Sequence, residues 1–581
     1  MSRTSLPPVR HQTRGAEPSP RINEDDEDLA GKIMGSQVPA ERVLSSVLRE
    51  EFAHPEQQRN WLAMTVAATN PDHPAHDFFI QRRERMRTHL SSGRLATTHD
   101  SEELSADDKV IPVMPMMDGL RIQALLDPAR QTLPFARDVH APDRHGQEVL
   151  TCRVPDYDTI RVGLNKFFAC ERTPAVASEI APNDAVVVAY RRTAFGRAQK
   201  GSFAGERPED LALTAVRAVL ASMPPADPAT FDDFYLGTAL PEGAQGDNAA
   251  RRVAVYAGYD SLPGATINRF CASSLQAIAG AARAIRAEDG DAFLVGGMES
   301  TSTTPPNSTN IYPGSEVSAR RVDAIFAADE DWNDPRSEGL TPDVYVSMGK
   351  TAELVARLTG TTRHEQDEWA LHSQARAAAA IDAGFFDREI APHTRRDGSS
   401  VSADDGPRRG TTMEGLAALR PVFREGGTVT AGNASPLNDG ASAAVLMSAS
   451  RASELGLTPL ARILGSAATA ISPEIMGLGP ITATQKLLSR LELSIGDIDL
   501  IELNEAFAAQ VVPVVRQLGL DPERVNVNGG AIAIGHPFGA TGTRLVGTLI
   551  NALHDRGGRL GLATLCVGGG QGMALVLERL A

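Results

Sequence analysis

The chain has 581 residues, is 42% hydrophobic and carries a formal net charge of -16. That acidity argues against a nucleic-acid partner and against an anionic membrane surface, and no apolar run reaches the roughly 18 residues that span a bilayer. The length points to several domains with large cores. The four cysteines, Cys152, Cys170, Cys271 and Cys566, show no CxxC spacing, no His/Cys cluster for a metal and no disulfide framework, which fits a reducing cytoplasm. The segment up to Ser19 has arginines but no apolar stretch, so it does not read as a secretory signal. Residues 1–36 are Pro-rich and hold the acidic run Glu24-Asp25-Asp26-Glu27-Asp28, a composition that predicts a disordered tail.

Residues 37–136 read as an all-α bundle. Val43, Val47 and Leu48 keep one helix face apolar, as do Trp61, Leu62 and Val66, then Phe78, Phe79 and Met86, then Met116, Leu120 and Leu125. The run Met116-Met117-Asp118-Gly119-Leu120-Arg121-Ile122, after the Arg82-Arg83-Glu84-Arg85 helix, resembles the late helices of the ligand-binding and dimerisation domain of TetR-type repressors. The resemblance implies a bundle without that family's DNA-binding headpiece, because residues 1–36 do not read as three helices. On this reading the bundle is a spacer or oligomerisation element. The competing reading makes the chain a regulator whose bundle senses a ligand. Residues 137–183 are a connector, with a turn at Pro142-Asp143-Arg144-His145-Gly146 and short strands within Val149–Val154 and Thr159–Val162. Cys152 and Cys170 read as structural there.

At Asp184 the pattern becomes alternating strand and helix. Ala185–Tyr190 reads as a buried strand, Pro208–Leu220 as a helix, Phe231–Leu236 as a strand and Asn248–Tyr256 as a helix. The short segment Ala265-Thr266-Ile267 precedes the helical run that starts at Cys271, and the strand Ala292–Val295 ends in Gly296-Gly297-Met298-Glu299-Ser300. The order recurs: helix Ile481–Leu491, strand Leu500–Leu503, helix Asn504–Leu518, strand Val525–Val527, helix Gly539–Leu553, and strand Leu560–Cys566 ending in Gly568-Gly569-Gly570. Alternation predicts a largely parallel sheet covered on both faces, built twice. The first half is 184–300, the second 431–581, and 301–430 is an insertion of helices and loops. The turn at Gly535-His536-Pro537 then occupies in the second half the place Cys271 holds in the first. Strand C-termini converge on one crevice.

The chemistry follows from residue types. Only a thiolate is strongly nucleophilic, and a helix start with its unpaired N–H groups stabilises one at Cys271. His536 is the candidate base. Cys566, at a strand end before three glycines, suits proton transfer, and the amides behind it form an anion nest. Asn504, just after a strand, can orient a donor or a water.

Together Asn268-Arg269-Phe270-Cys271, Gly432-Asn433-Ala434-Ser435, Asn504-Glu505-Ala506-Phe507, Gly535-His536-Pro537-Phe538-Gly539-Ala540-Thr541-Gly542 and Cys566-Val567-Gly568-Gly569-Gly570 resemble the thiolase family, motif by motif and in order. The resemblance implies an α/β fold of duplicated five-stranded mixed-sheet layers (α-β-α-β-α) with an inserted loop domain. It implies CoA-dependent cleavage of 3-ketoacyl-CoA, or the reverse condensation, through an acyl-Cys271 thioester. His536 would activate Cys271, Asn504 would fix a water in the first oxyanion hole, Cys566 would be the acid/base, and the amides of Cys271 and Gly568 would form the second hole. Met348, Phe423, Ala431, Ser435 and Phe507 would line the CoA tunnel. CoA is a substrate on this reading, no separate cofactor or metal is implied, and homodimers or homotetramers, with a partner enzyme of β-oxidation, are expected. Ketoacyl synthases share the duplicated architecture but pair a cysteine with two histidines, and here the third position is Cys566. Ser347 stands where many condensing thiolases carry His, and Pro436 where Gly is commoner. Ser347 leans the reading toward degradative cleavage.

Overall fold

The computed structural model describes residues 180–223, 226–304 and 321–580, with the backbone of strands β1 (His140–Pro142) and β2 (Glu148–Leu150), which pair antiparallel. These two strands belong to one compact unit, Met1–Arg172, and everything below to the other, Thr173–Ala581. The expected tail, the helical bundle, the strand at Thr159–Val162, Cys152 and Cys170 lie outside the described residues.

In the second unit the first half contains β3 (Ala185–Arg192), β4 (Gly196–Arg197), α1 (Pro208–Ala221), β5 (Asp233–Gly237), α2 (Ala249–Ala257), β6 (Ala265–Ile267), α3 (Ser273–Arg286) and β7 (Ala292–Ser300). The insertion holds α4 (Met348–Thr359), α5 (Arg363–Asp382) and a small pair, β8 (His393–Thr394) and β9 (Ser400–Val401). The second half contains β10 (Asn438–Ser448), β11 (Ala461–Ala470), α6 (Gly479–Leu491), β12 (Leu500–Leu503), α7 (Ala508–Leu518), α8 (Phe538–Arg556), β13 (Leu560–Val567) and β14 (Gln571–Arg579). The strands run in the order β12-β13-β14-β11-β3-β10-β7-β5-β6, with β4 on β10. The two arrays meet at a seam of only two residue pairs, Ala461 with Val187 and Arg462 with Val186.

Alternation along each strand sorts side chains into layers. Val186, Leu294 and Val445 face α1 and α2 in one core, whereas Val187, Phe293 and Leu446 turn to the opposite side. There they meet Leu275 and Ile278 of α3, Leu545 and Leu549 of α8, and Ala563, Leu565 and Leu575 of the second array. Leu562, Ala574 and Val576 face outward onto α6 and α7. The result is five layers, α-β-α-β-α, with α3 and α8 as the shared central one.

Three expectations need correction. The arrays are mixed rather than largely parallel, because β10 is antiparallel to β3 and β7, and β14 to β13 and β11. β10 and β11 are rich in Ala, Gly and Ser, which disguises them, since such residues are poor markers of a strand. Val525–Val527 is no strand. A single bridge joins Val525 to Ile501, and Asn526 has φ 48°, with its side-chain amide bonding both backbone groups of Leu503. The helix expected from Asn504 begins only at Ala508. Asn504 N–H donates to Thr564 C=O, and the buried Glu505 carboxylate accepts from Trp369, Ser373 and Asn526, which holds this segment irregular.

Candidate active site

Cys271 lies in a short 3-10 turn, Phe270–Ala272, immediately before α3. No side chain caps α3, so its positive end stays open toward the turn. Phe270 holds φ 44°, in the left-handed region, and this sharp bend presents the part-buried Cys271. Burial pushes its thiol up to about 11, opposed by hydrogen bonds to the sulfur from the Gly568 amide and its own. Cys566, at the end of β13, is fully buried. Its thiol is held well above the usual range, first by burial and then by the neighbouring Cys271. Both thiols are therefore protonated at neutral pH, so burial outweighs the thiolate stabilisation expected from the helix start, and Cys271 needs a proton acceptor to become a nucleophile.

His536 stands two residues before the start of α8. The start of that helix packs on the start of α3, where Thr543 N–H donates to Ser274 Oγ at 3.0 Å. A side chain at Gly542 would lie 2.2 Å from the Leu275 nitrogen, so only glycine lets the helices approach this closely. The ring is wedged: Thr541 Oγ1 lies 2.7 Å from Nδ1 and Asn504 Nδ2 3.2 Å from Nε2. The Thr541 hydroxyl gives its proton to Pro537 C=O at 2.8 Å, so its oxygen accepts from Nδ1–H. Nε2 is thereby left as the lone pair, and Asn504 Nδ2–H donates to it. Burial, helped by the Arg544 guanidinium, lowers the imidazole to about 3, so it is neutral at physiological pH. Asn504 is itself fully buried, and its Oδ1 has no hydrogen-bond partner among the described residues.

This burial has a pH signature. A histidine that titrates near 6.5 when exposed and near 3 when folded contributes stability that is complete above pH 6.5 and lost as pH falls toward 3. At ~1.4 kcal/mol per pH unit, acidification from 6.5 to 5 costs about 2 kcal/mol. Chemical denaturation at the two pH values should show the loss, and His536→Gln should flatten it. An equally steep loss in His536→Gln would show that other groups govern the response.

Of the five residues expected along a CoA tunnel, Met348, Phe423 and Phe507 pack in one apolar cluster with Cys566, Met476 and Ala434. The Phe423 and Phe507 rings meet edge to face at 6.0 Å. A side chain at Gly349 would overlap the Phe423 ring at 2.1 Å, which accounts for glycine after Met348. Ser435 is fastened to the Ala506 carbonyl by its N–H at 3.0 Å and by its hydroxyl at 3.1 Å. Ala431 stands apart, exposed and lining a cavity of about 400 Å³ with Arg197, Arg408, Leu416, Leu419 and Pro436. Sequence reasoning missed Arg408, whose signal is the basic pair Arg408-Arg409 closing an acidic stretch. It also missed Glu299. This buried carboxylate accepts from the amides of Ala239, Leu240 and Gly539 and from Gln245 Nε2, joining the end of β7 to the start of α8. Among the described residues no group of three His, Cys, Asp or Glu is placed to hold a metal, and no helix is long and apolar enough to cross a membrane.

A duplicated five-layer α/β scaffold with one cysteine at a central helix start and a second at a strand end is the architecture of a thiol-dependent acyltransferase. Residues 185–450 match the family model described as thiolase, N-terminal domain, and residues 457–579 that described as thiolase, C-terminal domain. The chain belongs to the thiolase family. It is 44% identical over 406 residues to the 3-ketoacyl-CoA thiolase of Aeromonas salmonicida, covering 68% of this chain and 99% of that protein. It is 45% identical over 401 residues to the acetyl-CoA acetyltransferase of Escherichia coli, covering 68% and 99%. Among solved structures, human mitochondrial 3-ketoacyl-CoA thiolase in complex with CoA superposes with a TM-score of 0.60 at 37% identity, covering 70% of this chain and all of that one. The acetyl-CoA acetyltransferase of Bacillus anthracis gives a TM-score of 0.60 at 39% identity, covering 68% and 99%.

Proposed function

We propose that this thiolase cleaves 3-ketoacyl-CoA with CoA, giving acetyl-CoA and a shortened acyl-CoA, through an acyl-enzyme on Cys271. The observation that carries the reading is the cysteine pair, a part-buried Cys271 in the turn before α3 with the Gly568 amide on its sulfur, and a fully buried Cys566 at the end of β13. His536 Nε2 takes the Cys271 proton, and the sulfur attacks the 3-keto carbon. With Asn504, which donates to the ring, His536 borders the first oxyanion hole. The bond between C2 and C3 breaks, and Cys566 S–H protonates the released acetyl-CoA enolate at C2. The amides of Cys271 and Gly568 stabilise the oxyanion on the carbon bonded to the Cys271 sulfur, and the first hole receives the enolate oxygen. The Cys566 thiolate then takes the proton of the incoming CoA thiol, whose sulfur attacks the thioester. Cys271 leaves and regains its proton from His536.

The apolar cluster around Met348, Phe423 and Phe507 suits the pantetheine arm, with Ser435 at its border. The cavity at Ala431 suits the nucleotide end, where Arg197 and Arg408 supply two guanidinium groups for phosphates. Ser347 in place of histidine favours cleavage over condensation. We further place the enzyme in the cytoplasm, as a homodimer or homotetramer that takes its substrate from β-oxidation. The test is thiolysis across 3-ketoacyl-CoA chain lengths, with acetyl-CoA condensation run in parallel. A higher kcat/KM for cleavage of chains longer than acetoacetyl-CoA is expected. Measurable turnover of acetoacetyl-CoA alone, with condensation the faster direction, would reverse the assignment.

A further inference from the structure

The loop that carries Cys271 and the turn that carries Gly568 come from opposite halves of the chain, yet a catalytic hydrogen bond must form between them. Arg269 precedes the nucleophile by two residues, and its side chain faces both. Its Nε donates to Gln276 Oε1 on α3 at 2.8 Å, which lays the guanidinium along its own helix. Its Nη1 donates across the site to Gln571 Oε1 at 2.8 Å. Gln571 in turn donates from Nε2 to the Gly568 carbonyl at 3.1 Å. Both partners are only part-buried. The turn they grip has little stiffness of its own, since Gly569 and Gly570 both take left-handed φ values of 73° and 76°. Phe270 lies over the same turn, 3.5 Å from where a side chain at Gly568 would begin.

We propose that Arg269 and Gln571 are positioning residues, a strap that holds the Gly568 amide on the Cys271 sulfur and so sets the second oxyanion hole. Neither touches the reacting atoms. Without the strap the glycine turn samples other arrangements, and the amide is aimed at the sulfur for only part of the time. The charge that acts on Cys271 is that of Glu299 on β7, with the neutral His536 imidazole and the protonated Cys566 thiol also in the site, and none of them is altered. Gln571→Met is the decisive variant because it breaks the strap while leaving the Arg269 charge in place.

The proposal rests on Cys271 being the nucleophile, and the full-length enzyme tests both. Arg269→Ala, Gln571→Met and the double variant are compared for thiolysis of acetoacetyl-CoA and for the pH dependence of Cys271 alkylation by iodoacetamide. Each single variant is expected to lower kcat about tenfold, with KM for CoA changed less than twofold. The double variant should be no worse than the weaker single, because both cuts sever one connection. The alkylation profile of Gln571→Met should move to higher pH as the sulfur loses its donor. Gln571→Glu, which accepts from Arg269 but cannot donate to the Gly568 carbonyl, should repeat the loss and guards against a misfolded methionine variant. Losses that multiply in the double variant, a rise in KM alone, unchanged kcat, or an alkylation profile that does not move would each overturn the strap. If Cys271→Ala stays active the nucleophile assignment fails instead, which is a separate result.

Discussion

Cys271→Ala is expected to abolish CoA-dependent cleavage of acetoacetyl-CoA, with kcat lower by about four orders of magnitude or more. The alanine leaves the turn before α3 and its amides in place, so the folded protein should still retain CoA, as measured by equilibrium binding. In the unaltered enzyme iodoacetamide should modify Cys271 before Cys566, since the first is part-buried and the second fully buried. The reaction should quicken as pH rises, because burial sets the Cys271 thiol at about 11. Acyl-enzyme trapped from substrate should map to the same residue. Full turnover in Cys271→Ala, or first labelling at Cys566, would remove Cys271 from the mechanism.

Cys566→Ala should act on a different step. Removing a positioned acid/base group typically costs 10²–10⁴-fold in rate, and kcat for thiolysis should fall in that range. Alkylation of Cys271 should persist with its pH profile unmoved, because burial, the Gly568 amide and Glu299, which set its thiol, are all unaltered. Exchange of substrate α-protons with solvent, followed by NMR in deuterium oxide, should drop with kcat, since the enolate is then without its proton partner. An unaltered exchange rate would assign proton transfer to another group, of which the neutral His536 is the candidate.

The readable parts of the sequence were those where chemistry restricts residue type. A cysteine at a helix start, a histidine among glycines and a strand ending in three glycines are few enough to stand out, and the duplicated order of strands and helices located them in equivalent turns. What composition concealed was structural. β10 and β11 are rich in Ala, Gly and Ser, and β10 is buried along its whole length, where small side chains fit between close layers. Asn526 imitates a strand partner for Leu503 through its side chain, and the two valines that flank it gave Val525-Asn526-Val527 the look of a strand although its backbone is turned. Arg269 and Gln571 are 302 positions apart, and no local pattern marks a contact at that distance. Ala431 shows the opposite case. Its motif was readable, but only the fold shows that it borders an arginine-lined cavity rather than the apolar cluster around Cys566.

The Glu299 carboxylate has a wider reach than its place at the end of β7 suggests. Its four donors come from the loop after β5, from Gln245 and from the second residue of α8, so one side chain ties together segments of two half-molecules. Neither half presents a complete set of donors to that carboxylate, and a lone half would leave it buried and underbonded or force it into solvent. Gene fragments encoding 184–300 and 431–581 separately should therefore lack independent stability, and the duplicated units, once fused, lost the freedom to part.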